Sequence, residues 1–288
     1  MGVHIAKPME PPALKSRWSK LGTCCVVLLA LMSGALLPGG GAALAQSGNA
    51  DEGAPVVLEL FTSEGCSSCP PADELLSRIG ALTPGVIPLA YHVDYWNSLG
   101  WSDPLSSNQW TMRQVEYVRA MQLRGSYTPQ IVVNGRWQCI GSNPNGITRL
   151  IDAARATPPP AVVTVHAMSL AAGSRKLNLS VSAHVVRTAG DKSLIVLVAI
   201  YENGLMATID GGENSGHRIK YDYTVRKVIP AFELNPTAGS ALENELSVNL
   251  DRSWRLDHLG VAAFIQDETS LAIEGGATQY PLGKPANQ

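Results

Sequence analysis

A chain of 288 residues with 45% hydrophobic side chains carries enough apolar material to bury cores in two domains of ordinary size. Its 22 Lys and Arg against 24 Asp and Glu give a formal net charge of -2 with the signs interspersed. That balance offers no basic stripe for nucleic acid and no acidic tail, which removes both as the basis of a function.

The first residues read as an address. Lys15, Arg17 and Lys20 precede an apolar run from Leu21 to Leu37, and Ala43-Leu44-Ala45 supplies an A-x-A cleavage pattern. Residues 1–45 are therefore expected to be a signal peptide, and the mature protein to be exported, periplasmic or secreted. The run contains Ser33 and Gly34 and is marginal for a hydrocarbon core of ~30 Å, so an uncleaved anchor is the alternative. Cys24 and Cys25 leave with the signal. No later segment is long and apolar enough to span a membrane. Residues 46–54 are small and polar and read as a disordered mature N-terminus.

The folded part opens at Pro55. Val56 to Phe61 is nearly continuous in apolar residues, the pattern of a strand buried on both faces. Cys66-Ser67-Ser68-Cys69 follows. Ala72, Leu75, Leu76 and Ile79 then mark an amphipathic helix stopped by Thr83-Pro84-Gly85, and Val86 to Val93 is a second apolar strand. Strand, helix and strand make one βαβ unit. Tyr95 to Pro104 is an aromatic, turn-rich loop. Trp110, Tyr117, Val118 and Met121 share one helical face and Met112, Val115 and Leu123 another. Asn134-Gly135 between Gln130–Val133 and Arg136–Ile140 predicts a hairpin. A last helix has Asn143 as cap, Pro144 at its first position and Ile147, Leu150, Ile151 and Ala154 on its apolar face. The order is β, α, β, α, β, β, α over residues 55–156.

Residues 157–160, Thr-Pro-Pro-Pro, read as a stiff extended linker and domain boundary. Beyond it the period becomes that of strands: 162–170, 176–187, 193–201, 221–229, 245–250 and 261–266. The expectation for residues 161–283 is a two-layer antiparallel sandwich of about seven strands, with 284–288 as a tail. The loop Gly211 to Gly216 lacks the Lys-Ser or Lys-Thr of a phosphate loop, and no Gly-x-Ser-x-Gly marks a hydrolase.

The chemistry rests on Cys66 and Cys69. A cysteine pair at a helix N-terminus meets free N-H groups and a dipole that favour the thiolate, with the first cysteine as the exposed attacker and the second as the resolving thiol. If Cys66 caps the helix, Pro70 falls at the fourth helical position and deletes a hydrogen bond, so regular helix starts later. The competing reading is a structural disulfide. A loop of about four residues yields only ~2 kcal/mol of unfolded-state entropy, against ~3 for about fifteen, which makes it a poor staple. Cys139 reads as a small buried apolar residue or a third, resolving thiol. A metal alternative assigns Cys66, Cys69 and His92 to Cu(I) or zinc, whereas the redox reading needs no cofactor. Asp94, Tyr95, Trp96, Trp101 and Asp103 line either a substrate groove or a packed loop. His166, His184, His217 and His258 are scattered.

The N-terminal order of elements, with Cys-x-x-Cys opening the first helix and Thr128-Pro129 before the third strand, resembles the thioredoxin fold. That likeness implies a cis Pro129 facing the cysteines, with Thr128 and Pro129 positioning the substrate backbone. It also implies protein thiols or disulfides, or a redox partner protein, as partners. More closely, Glu59 to Ala72, Tyr91-His92-Val93-Asp94-Tyr95-Trp96, Tyr127-Thr128-Pro129-Gln130 and Gly212-Glu213-Asn214-Ser215-Gly216 resemble a family of secreted bacterial proteins known only as a domain of unknown function. The chain departs from thioredoxin itself at Gly65, where a tryptophan is usual, and at Ser67-Ser68, which replace Gly-Pro. Leu60 stands where thioredoxin has its buried acid. Glu59 is one step back, and strand alternation turns it to the opposite face unless a bulge restores register.

Overall fold

A computed structural model describes residues 54–170 and 174–279; the expected signal peptide, most of the polar N-terminus and the tail lie outside them. β1 (Val56–Thr62) and β2 (Val86–His92) run parallel and in register from Val56 opposite Val86 to Thr62 opposite His92, with every residue buried. They are buried because helices cover both faces, as a continuous apolar run requires. Leu58 and Leu60 meet Leu76 of α1 (Pro70–Leu82) on one face. Val57 and Phe61 meet Trp110 and Tyr117 of α2 (Asn108–Ala120) on the other. β3 (Gln130–Val133) pairs antiparallel with β1, and β4 (Trp137–Ile140) returns beside β3. Both turn residues are left-handed, Asn134 at φ 45° and Gly135 at φ 62°, as an Asn-Gly hairpin demands. α3 (Pro144–Arg155) starts at Asn143, whose Oδ1 accepts from Gly146 N at 3.0 Å. The order read from the sequence for this half is the order observed.

After residues 157–160 come β5 (Ala161–Leu170), β6 (Lys176–Val185) and β7 (Leu194–Glu202). Two short strands, β8 (Leu205–Thr208) and β9 (Arg218–Tyr221), pair with each other. β10 (Thr224–Leu234), β11 (Ala241–Asn249), β12 (Leu259–Asp267) and β13 (Ile273–Gln279) complete the chain. β11, β6 and β5 form a small sheet whose inner residues, Val163, Leu177 and Val181 among them, pack on Val196, Val198 and Ile265 of β7 and β12.

Where a separate sandwich domain is expected, three strands lie over β7, β10, β12 and β13, and this larger layer continues into the N-terminal half. β10 lies beside β2, with Thr224 opposite Ala90 and Ala90 N donating to Tyr223 O at 2.8 Å. One eight-stranded sheet results, in the order β13-β12-β7-β10-β2-β1-β3-β4. The architecture is mixed α/β around this sheet, and all described residues belong to one compact unit. Among them no helix is long and apolar enough to cross a membrane.

Candidate functional site

The cysteines occupy the turn between β1 and α1. Cys66 N donates to Ser63 O at 3.2 Å and Cys69 N to Cys66 O at 3.1 Å. These two turns bring the Cα atoms to 5.4 Å, and Cys66 and Cys69 form a disulfide. Cys69 is the helix cap: its carbonyl accepts from Ala72 N at 2.8 Å and Asp73 N at 3.1 Å. The alternative in which Cys66 caps the helix and Pro70 deletes a hydrogen bond therefore does not arise. Pro70 and Pro71 take the first two helical positions, where a missing N-H removes no intrahelical bond, so they start the helix instead of delaying it. The helix terminus therefore bears on Cys69, with Cys66 outside the first turn. Exposure differs from expectation as well. Cys66 and Cys69 are both 0% exposed, while Ser67 and Ser68 between them face solvent.

Three segments close over the pair. The Thr128-Pro129 bond is cis and Pro129 is buried. Because Gln130 pairs with Phe61, the proline reaches the end of β1 where the cysteine loop begins. A Cβ on Gly141 would stand 3.1 Å from Pro129 Cβ and 3.2 Å from Ala72 Cβ, which places the cis proline a residue's width from the first turn of α1. Trp96 lies against Gly65, 3.1 Å from where its Cβ would be, and donates from Nε1 to Thr128 Oγ1 at 2.8 Å. The third segment comes from the loop between β8 and β9. Asn214 Nδ2 donates to Glu64 O at 2.8 Å and to Cys66 O at 3.0 Å, and Glu213 accepts from Ser67 N at 3.1 Å. Bonds from the Ser67 hydroxyl and backbone hold the Glu213 carboxyl below the usual carboxylate range.

Beneath this cover sits a buried group of ionisable side chains. His92 Nδ1 is 2.7 Å from Asp103 Oδ2, which also accepts from Glu64 N at 2.9 Å. Glu64 Oε2 accepts from Trp101 Nε1 at 2.7 Å, and Asp73 Oδ2 from Thr62 Oγ1 at 3.0 Å. The ring of Tyr221 meets that of His92 edge-on at 4.8 Å. Burial pushes Asp73 up to about 7, against the pull of His92 and Thr62. Burial and the neighbouring Asp103 raise Glu64. Burial opposes the charged forms of both His92 and Asp103, but their pairing outweighs it, so the imidazole is raised and Asp103 lowered.

The other residues singled out in the sequence scatter. Glu59 does point away from the cysteines: its carboxylate takes Arg113 Nε at 2.7 Å and the Tyr117 hydroxyl, on the α2 side of the sheet. Asp94 receives Thr111 Oγ1 at 2.5 Å and Thr111 in turn receives Asp94 N at 3.0 Å, a loop brace. Cys139 is a free, half-buried thiol on β4 that packs with the α1 and α3 core, its pKa raised by burial. Cys66, Cys69 and His92 do not make a ligand set. Among the described residues no group of three or more His, Cys, Asp and Glu is placed to hold a metal ion. Sequence reasoning passed over Asp73, Glu64 and Asn214 as site residues. Asp73 carried a signal in its spacing: it lies three residues before Leu76, inside the apolar stripe of α1.

The family model described as "Protein of unknown function (DUF1223)" matches residues 57–266, from β1 through β12. The chain belongs to this family. The matched span includes both cysteines, the cis proline and the Glu213-Asn214 loop that closes on them. Among solved structures, the DUF1223 protein is similar to protein AGR_C_4864 from Agrobacterium tumefaciens at 28% identity. That match covers 83% of this chain and 100% of that one, with a TM-score of 0.65. HBP35 of Porphyromonas gingivalis matches at 17% identity over 82% of this chain and 78% of its own, with a TM-score of 0.61, a likeness of fold. No curated protein matches.

Proposed function

We propose that this DUF1223 protein is an exported thiol-disulfide oxidoreductase of thioredoxin-like design, working through Cys66 and Cys69 on protein thiols or disulfides. The observation that carries the reading is the position of the disulfide. It spans the turn from a buried parallel strand into a helix capped by Cys69, with the cis Thr128-Pro129 bond at the end of the same strand. A disulfide closing so short a loop contributes little stability, which favours a role in exchange. Cys66 attacks or is attacked, Cys69 resolves the mixed disulfide, and Thr128 and Pro129 present the partner backbone.

The reading tests directly. Cys69→Ala should leave Cys66 holding a partner protein in a mixed disulfide that a reductant releases, and the native protein should exchange with protein dithiols. No trapped partner and no exchange overturn the proposal. The complete burial of both cysteines favours a second reading, a binding scaffold with a structural disulfide. That reading predicts that Cys66→Ser with Cys69→Ser lowers stability and leaves partner binding intact.

A further inference from the structure

Glu64, Asp73, His92 and Asp103 come from four segments: the cysteine loop, α1, β2 and the loop after β2. All are at least nine-tenths buried. The neutral or polar groups facing them are Thr62 of β1, Trp101 of the same loop as Asp103, and Tyr221 of β9. Among the described residues, no lysine or arginine forms an ion pair with any of the three carboxyls; the one ion pair is His92 with Asp103. Fully ionised, three carboxylates and one imidazolium would leave two uncompensated negative charges in the interior, at a cost that forces protonation instead. The centre must therefore hold at least one proton beyond that of the imidazolium near neutral pH. Three of its atoms, Glu64 Oε1, Asp73 Oδ1 and His92 Nε2, are buried without a hydrogen-bond partner, while the partners of the other atoms fix each side chain in place. Unpartnered buried acceptors and donors of this kind mark a place where a proton or a water is held.

The backbone of each cysteine is joined to the backbone of a residue of this centre. Asp73 N donates to the carbonyl of Cys69, and Asn214 bridges the carbonyls of Glu64 and Cys66. Glu59, the carboxylate nearest in sequence on the strand, is committed to Arg113 across the sheet.

We propose that Glu64, Asp73 and His92, with Asp103 fixing the imidazole, form a buried proton-exchange centre that supplies and recovers the proton of Cys69 as the disulfide opens and closes. In reduction, the thiolate of an external dithiol attacks Cys66 Sγ and breaks the Cys66 to Cys69 bond. The departing Cys69 thiolate takes a proton from Asp73. The second thiol of the dithiol loses its proton to solvent and attacks the external sulfur bonded to Cys66, which departs as a thiolate, and the external dithiol leaves as a disulfide, oxidised by two electrons. Oxidation runs the same steps in reverse, with the Asp73 carboxylate accepting the Cys69 proton.

This inference deepens the oxidoreductase reading and is measured independently of it, because a small dithiol such as dithiothreitol sets the redox state whatever the natural partner. The equilibrium potential of the intact protein, measured against pH, should break where the centre titrates in each redox state. Each break changes the slope by one proton per two electrons, a tenfold change in equilibrium constant per pH unit or ~30 mV. Asp73→Asn should remove a pair of breaks. In the wild type, the His92 imidazole signals, assigned by their loss in His92→Gln, should titrate about half a pH unit apart in the oxidised and reduced forms, a roughly threefold change in proton affinity. Superimposable potential curves for wild type and Asp73→Asn overturn the proposal. If Asp73→Asn does not fold, identical His92 titrations in the two wild-type redox states overturn it. Potential breaks without any exchange with protein dithiols uphold the proton centre and sink the oxidoreductase function alone.

Discussion

Replacing Asp73 by Asn should stabilise the protein, and by more as the pH rises. The Asp73 carboxyl titrates near its ordinary 3.8 in the unfolded chain but at about 7 when buried. Between those values the folded state binds more protons than the unfolded state, so this group's contribution to stability falls as the pH climbs and levels off above about 7. A displacement of about 3 pH units corresponds to ~4 kcal/mol at full effect. By the same linkage, about 1.5 kcal/mol of that cost is already present at pH 5, which leaves a gain of about 2.5 kcal/mol in the gap between variant and wild type by pH 8. Asn keeps a side-chain oxygen to accept from the Thr62 hydroxyl, so the comparison isolates the charge. Urea unfolding of the disulfide form at pH 5 and pH 8 reads the effect. With a slope of ~2.5 kcal/mol per M, the separation in midpoint should widen by about 1 M. Midpoint curves that stay parallel across this range would refute the argument that Asp73 is forced to hold a proton by burial.

Other substitutions probe the frame around the site. Glu59→Gln strands the Arg113 guanidinium among Tyr91, Tyr117 and Phe264 without its counter-charge, and should cost about 3–5 kcal/mol in urea unfolding. Because Glu59 faces α2, the same variant should leave the disulfide potential unchanged; a large shift in potential would contradict the assigned geometry. Asn214→Ala removes the donor to two carbonyls of the cysteine loop and should cost about 1–3 kcal/mol. It should also speed reduction of the disulfide by a small thiol, measured as a rate; an unchanged rate would mean that this loop does not guard the pair. In Gly135→Ala, the new Cβ would lie 1.9 Å from Leu271 O at a left-handed φ, so a loss of at least ~2 kcal/mol should appear in thermal unfolding.

Local signals served the N-terminal half well. Asn143-Pro144 set the start of α3, and Asn134-Gly135 set the hairpin, because caps and turns are decided by residues only a few positions apart. Counting along β1 was enough to turn Glu59 away from the cysteines, since side chains alternate in a strand whatever surrounds it. Such signals left the capping cysteine open. Which cysteine caps the helix depends on where Pro70 and Pro71 best fit, and the first two helical positions accept them without losing a bond. Strands β8, β9 and β13 were missed. β8 and β9 are only four residues each and interrupt a polar loop, while β13 carries Gly275 and Gly276 in its interior. Gly275 is needed there because a Cβ would come 2.6 Å from Ala161 O.

By itself the sequence determined the cysteine spacing, the βαβ start and the alternation that gives β6 one buried face. All of these depend on period and on near neighbours in the chain. Only the tertiary structure decided that the sandwich and the N-terminal half share one sheet, because the pairing of β10 with β2 joins residues far apart in sequence whose apolar runs are compatible with many neighbours. The same closure carries Asn214 onto the backbone of Glu64 and Cys66 and buries Asp73 beside His92 and Asp103. A carboxylate's protonation is set by solvent and charges in three dimensions, and no spacing along the chain encodes it.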